Sequence, residues 1–178
     1  MNDTITLQIK PNGAQDFEAL IEKYKDALYS FIFYSVRSDE GAAGDIFQDT
    51  LLKALGDMGK YKEEGKFKAW LFTIARNKIT DHFRANAKFV QLPQDADADI
   101  FAAPNSAQNE AESNISLQEI QGFIGRLPKE QREVILLRPY LSFKEIAQTL
   151  GCPLGTVLAR MNRGIKKLQQ YMGEEYAA

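Results

Sequence analysis

The chain has 178 residues, 44% of them apolar and 26% charged, which suits a globular protein of one domain or two small ones. No apolar run approaches the roughly 18 residues a membrane span needs, and no basic start followed by an apolar core marks a signal peptide, so a cytoplasmic protein is expected. One cysteine (Cys152) and one histidine (His82), far apart in sequence and with no glycine-rich phosphate loop, argue against a disulfide, a metal site, a cofactor or an enzyme.

The net charge of −2 conceals strong segmentation. Residues 1–59 carry 5 basic and 10 acidic side chains, and residues 60–88 carry 8 and 3. Residues 89–125 carry no basic and 6 acidic groups, whereas residues 126–167 carry 9 basic and 3 acidic ones. Two basic blocks separated by an acidic one matter because phosphate neutralisation needs local positive charge, not a basic total. Ordinary surface patchiness is the competing explanation.

In chain order, residues 1–14 alternate Ile5, Leu7 and Ile9 with polar groups before Pro11-Asn12-Gly13, which suits an extended arm or short strand. A long helix is expected over about 15–37, with Phe17, Leu20, Ile21, Tyr24, Leu28, Phe31 and Ile32 on one face. Ser38 or Asp39 can cap a second helix whose apolar set is Ile46, Phe47, Thr50, Leu51, Ala54, Leu55 and Met58. Asp45, Gln48, Asp49, Leu52 and Lys53 fall largely on its other side, as a solvated face or a partner-docking one. After a turn-rich loop at 56–65, a third helix over about 66–87 turns Phe67, Trp70, Leu71, Ile74 and Ile79 inward. Three amphipathic helices can bury one another's faces, so 15–88 is expected to be one helical domain.

Residues 89–113 contain two prolines and little large apolar surface, the composition of an acidic flexible linker. Helical periodicity resumes near 114 with Ile115, Leu117, Ile120, Phe123, Ile124 and Leu127, and Pro128 then starts a further helix that reaches about Leu137. At 141–168 the pattern is that of a helix-turn-helix. Ser142 and Glu145 form a capping box, Gly151 ends one helix, and Pro153 stands in the first turn of the next. Leu154, Val157, Met161, Ile165 and Leu168 are expected to form the buried stripe of that last helix. The fold class is therefore all-α, two small helical domains joined by an acidic linker, with the helix-turn-helix in a C-terminal domain at 114–172.

The outward face of the last helix carries Gly155, Leu158, Ala159, Asn162, Arg163 and Lys166, with Arg160 and Lys167 at its margins. In a major groove, Arg163 suits guanine and Asn162 suits adenine, while Leu158 and Ala159 can only pack on thymine methyls or the backbone. Arg160, Lys166 and Lys167 suit phosphates. A helix-turn-helix used only for packing is the bland alternative, and a stand-alone regulator that binds duplex DNA as a dimer is another. The first basic block interleaves Lys60, Tyr61, Lys62, Lys66 and Lys68 with Phe67, Trp70 and Phe72, which suits stacked single-stranded bases. For Phe67 and Trp70 a plain core role is favoured, and for Tyr61 and the lysines a nucleic-acid role.

The segments DIFQDTLLKAL, FKAWLFTIARNKITDHFR, LPKEQREVILL and LSFKEIAQTLGCPLGTVLARMNRGIKKL resemble bacterial sigma factors of the extracytoplasmic-function group over about 15–171. That resemblance implies region 2, a linker and region 4 of a non-catalytic subunit that joins core RNA polymerase and confers promoter choice. It implies a polymerase-docking role for Asp45, Gln48, Asp49, Leu52 and Lys53. Capture of the unstacked −10 base falls to the loop at 59–66, with Lys60, Tyr61 and Lys66, and to Asn77; Lys68, Arg76, Lys78 and Arg84 are implied as neighbouring −10 contacts. It implies −35 reading by 153–167, with Thr156, Leu158, Ala159, Arg160, Asn162, Arg163, Lys166 and Lys167 toward DNA, and such proteins are often held by an anti-sigma factor. The chain departs from the family pattern GTVKSRLxRAR at Leu158 and Ala159, where a basic residue and a serine are usual. Arg138-Pro139-Tyr140 also replaces the usual acidic-glycine turn.

Overall fold

A computed structural model describes residues 14–61, 66–89 and 117–176. Seven α-helices and one 3-10 turn account for the secondary structure of the described residues, with no strand among them. Of the expected N-terminal arm and acidic linker only Ala14 and Phe89 are described, as the end residues of α1 and α3, and Lys62 and the expected helix start near 114 lie outside the described residues. Two compact units divide the chain after Phe83, with Gln148–Gly151 counted in the first.

The first unit is built on α1 (Ala14–Ser35), α2 (Glu40–Asp57) and α3 (Phe67–Phe89) as far as Phe83. Leu28, Phe31 and Ile32 recur at helical spacing and are buried, as is Val36 just beyond α1. The α1–α2 turn passes through Arg37 and Ser38 at φ of 60° and 62°, a left-handed conformation unusual for non-glycine residues. Of the two expected caps, Asp39 is the one used: its Oδ1 accepts the Ala42 N–H at 2.9 Å. Along α2 the buried stripe is Ala43, Ile46, Thr50 and Ala54. Its only hydroxyl is satisfied, because Thr50 donates to the Ile46 carbonyl at 2.7 Å. From α3 the core receives Phe67, Ala69, Leu71, Phe72, Ala75 and Ile79, with the Phe72 ring 5.4 Å from that of Phe31.

The second unit is built on α4 (Leu117–Gly125), α5 (Lys129–Leu137), α6 (Phe143–Leu150) and α7 (Leu154–Tyr176). Phe123, Leu127, Val134, Leu137, Leu141, Ile146 and Val157 are buried. Arg132 is buried as well, and its guanidinium donates to the Gly125 carbonyl at 2.8 Å, capping the end of α4. The Arg138 guanidinium lies 4.6 Å from the Phe143 ring centroid and bonds the Leu141 carbonyl at 3.3 Å. That contact fixes the α5–α6 turn, where the family's acidic-glycine sequence is missing.

The α6 termini follow the expected chemistry closely. The Ser142 N–H donates to Glu145 Oε2 at 2.7 Å and the Glu145 N–H to Ser142 Oγ at 3.3 Å, a reciprocal capping box. At the other end, Gly151 adopts φ +62°, the Gly151 N–H bonds Gln148 O at 3.2 Å and the Cys152 N–H bonds Ala147 O at 3.1 Å. This is the Schellman arrangement. Pro153 precedes α7, and its carbonyl accepts the Thr156 and Val157 N–H groups at 3.0 and 3.2 Å.

Two expectations need correction. The α7 stripe is rotated: Leu154 and Ile165 are 39% and 38% exposed, while Val157 and Gly164 are buried and Met161 and Leu168 half-buried. The cause is Gly164, where an added Cβ would stand 2.7 Å from Ile135 Cδ1, so α7 turns its side-chain-free position toward α5. An apolar-periodicity count gives glycine no weight and therefore misses this. Leu55, grouped with the apolar side of α2, is 49% exposed.

Candidate nucleic-acid interface

On α7, the buried positions Val157 and Gly164 define the inward side, and helical spacing sets Gly155, Leu158, Ala159, Asn162, Arg163 and Lys166 around the opposite side. Leu158, Asn162, Arg163 and Lys166 are exposed, whereas Thr156, Ala159, Arg160 and Lys167 are half-buried. Two of the cations make local contacts. Arg160 reaches back so that its Nη1 lies 3.8 Å from Cys152 Sγ in the turn, and Arg163 Nε donates to the Ala159 carbonyl at 3.3 Å. The sequence-predicted set is thus assembled on one helix, with Arg160 directed to the turn.

In the first unit, α2 leaves the 3-10 turn Met58–Lys60 and reaches Tyr61, whose N–H bonds the Asp57 and Met58 carbonyls at 3.2 and 3.1 Å. The Tyr61 ring packs 4.9 Å from Trp70 and edge-on to Phe67 at 5.7 Å. Phe67 in turn stacks on Tyr24 at 6.2 Å. Tyr61 is therefore half-buried in an aromatic group that includes Trp70, where sequence alone had set it apart from that core. Lys66 is exposed, and the half-buried Lys68 holds its ammonium 6.0 Å from the Tyr24 ring centroid.

Along α3, Asn77 and Arg84 are exposed and two turns apart on one face. Arg76 is half-buried on a flank of the same helix. Lys78 falls on the other flank, where its Nζ donates to Asp49 Oδ2 of α2 at 3.1 Å. The −10 candidates are therefore not one continuous patch: Asn77 and Arg84 share a side that Lys78 leaves.

On α2, Asp45, Gln48, Asp49 and Leu52 recur at helical spacing, and all four are exposed, Leu52 at 69%. Leu55 extends that face and was missed, because an exposed leucine in an apolar period is indistinguishable by sequence from a core one. Lys53 sits on a flank, tied to Asp57 at 2.9 Å. The outer face of α2 thus presents two exposed leucines, Leu52 and Leu55, beside the exposed carboxylates Asp45 and Asp49.

Two family models match the chain in sequence order: Sigma-70 region 2 on residues 20–89 and Sigma-70, region 4, on residues 117–168. The chain is 31% identical over 136 residues to the ECF RNA polymerase sigma factor EcfG of Rhodopseudomonas palustris, covering 75% of this chain and 73% of that one. The chain belongs to the extracytoplasmic-function sigma factors. The sigma factor is also 28% identical over 179 residues to SigW of Bacillus subtilis, covering 93% of each protein. Among solved structures, it is similar to the sigma factor RpoE from Bartonella quintana, crystallised with the anti-sigma factor NepR. The TM-score is 0.72 at 30% identity, over 89% of this chain and 98% of that one. The region 4 match ends at Leu168, inside α7, so the last turns of this helix extend beyond it.

Proposed function

We propose that this sigma factor binds core RNA polymerase through the outer face of α2 and directs it to promoters read at two points. The observation that carries this is the succession of region 2 and region 4 on one chain, the latter closing in a helix-turn-helix whose first helix is capped at both ends. Asp45, Gln48, Asp49 and Leu52 supply the docking face, with Lys53 at its margin. The segment from Lys60 and Tyr61 to Lys66 and Lys68, together with Arg76, Asn77, Lys78 and Arg84, holds the melted −10 strand by stacking and phosphate contacts. Thr156, Leu158, Ala159, Arg160, Asn162, Arg163, Lys166 and Lys167 face the −35 duplex. Under this reading, 1–14 is an arm, 15–88 acts as region 2, 89–113 as the connecting linker and 114–172 as region 4.

The protein then works in the cytoplasm, without catalysis or cofactor of its own. Because RpoE was crystallised with an anti-sigma factor, an anti-sigma partner belongs to the same proposal. The test is reconstitution with core polymerase, followed by selection of promoter sequences and run-off transcription. Specific transcripts from selected promoters are expected. Absence of binding to core at low salt would overturn the proposal.

A further inference from the structure

The polar inventory of the recognition helix is lopsided. Its first two turns expose Leu154, Gly155 and Leu158, with Ala159 beside them, and none of these side chains can donate or accept a hydrogen bond. The early cation that could have compensated, Arg160, is half-buried with its guanidinium against Cys152 Sγ at 3.8 Å. Apart from the half-buried Thr156, hydrogen-bonding side chains begin one turn later, with the exposed Asn162 and Arg163. Yet the N-terminal part of a recognition helix is the part that meets base edges. Leu158 and Ala159 lie at helical spacing from Asn162 and Arg163, so all four are carried on the same outward side of α7. Leu158 is 40% exposed.

The one apolar group of any size that base-pair edges present in the major groove is the C5-methyl of thymine; beyond the small C5–H of cytosine, the other features there are hydrogen-bond donors and acceptors. An apolar side chain set against a donor or acceptor would strip its water without replacing the bond, which is unfavourable. We propose that Leu158 and Ala159 are specificity-determining residues that read thymine methyls, so that the −35 element of this sigma factor requires thymine at the positions they face. This rests on the −35 role proposed above for α7. It turns the replacement of a cation and a hydroxyl from a loss of reading into a change of letter.

The test uses the reconstituted holoenzyme and a promoter obtained by selection, with each −35 thymine replaced in turn by deoxyuridine. That change removes the methyl and keeps the base pair. For the wild-type holoenzyme, binding should fall about fourfold at one or two thymines, the factor that burial of one methyl-sized group is worth. With Leu158→Ala the sensitivity at the Leu158 position should vanish while that at the Ala159 position persists. Leu158→Lys, which restores the family's basic residue, should shift the selected base there away from thymine.

A holoenzyme that transcribes from its selected promoter but is indifferent to every deoxyuridine overturns the inference and leaves the sigma-factor function standing. Retention of the full sensitivity pattern in Leu158→Ala also overturns it. A protein that neither binds core nor initiates overturns the function and the inference together.

Discussion

Lys78 of α3 and Asp49 of α2 meet at 3.1 Å, joining a residue expected to contact −10 DNA to one expected to dock on polymerase. Both side chains are substantially solvated, Asp49 at 60% and Lys78 at 31% exposure. An exposed pair of this kind contributes about 0–1 kcal/mol to stability and weakens with salt. A double-mutant cycle with Asp49→Ala and Lys78→Ala, followed by urea unfolding, should give a coupling below about 1 kcal/mol. A coupling above about 2 kcal/mol would mean the pair is a structural clamp.

The docking face of α2 makes a second prediction. Leu52 and Leu55 are exposed, so replacing either with aspartate removes little buried surface and the thermal midpoint should stay nearly unchanged. Affinity for core polymerase should nevertheless fall about tenfold or more, since a charge would be buried in the apolar centre of an interface. Binding by fluorescence anisotropy, alongside a melting curve, separates the two effects. Unchanged core affinity in both variants would remove α2 from the docking surface.

Asn77 is exposed on the face of α3 that it shares with Arg84, and Lys78 is turned away from that face. Asn77→Ala should therefore slow promoter opening or relax −10 selectivity while core binding is kept. Permanganate reactivity of melted thymines reads the opening directly. Lys78→Ala should have the smaller effect on opening of the two. The reverse order would show that Lys78 exchanges Asp49 for DNA in the complex.

The parts of the fold written in local chemistry were legible in the sequence. Ser142, Glu145 and Gly151 announce their helix ends by residue type, and all three act as expected. Asp39 does so for α2. What periodicity could not tell was which of two overlapping apolar stripes on α7 faces inward. Leu154 and Ile165 fit the 3.6-residue period as well as Val157 and Leu168 do, and the decision was made by Gly164 against Ile135, a contact distant in sequence. The candidate site shows the same division. Residues on one helix, such as Asn162 and Arg163, were grouped correctly, while the pairing of Lys78 with Asp49 depends on how α2 packs on α3. The embedding of Tyr61 against Trp70 likewise comes from tertiary packing.

Gly164 supports a fourth prediction in which two effects compete. Alanine is favoured over glycine in a helix interior by roughly 1 kcal/mol. Against that, the new Cβ meets Ile135 Cδ1 at 2.7 Å and Gln131 Cβ at 3.4 Å. The first is the tip of a side chain that can change rotamer, so Gly164→Ala should alter stability by less than about 1 kcal/mol. The Gln131 Cβ is fixed to its backbone and cannot yield in that way. Gly164→Leu should therefore cost more than about 2 kcal/mol by overpacking. Chemical denaturation of the two variants tests the contrast, and equal stabilities would show that α5 and α7 separate easily.

Arg163 and Lys166 lie on the same side of α7 but should fail differently. The Arg163 guanidinium has five N–H donors, and among the described residues its Nε is the one used, by the Ala159 carbonyl at 3.3 Å. That bond steadies the head group and leaves the terminal nitrogens able to address guanine O6 and N7 together. Lys166 is a solvated point charge one turn further along, suited to a phosphate. Arg163→Ala should lower −35-dependent initiation by about 1–3 kcal/mol and relax preference at one base pair. Lys166→Ala should weaken all −35 sequences alike and reduce the salt dependence of log affinity by about one unit of slope. Measuring binding of the holoenzyme to a panel of single-base −35 variants at several salt concentrations distinguishes them. If Arg163→Ala weakens every variant equally, its guanidinium is a phosphate contact and base reading shifts to Asn162 and its apolar neighbours.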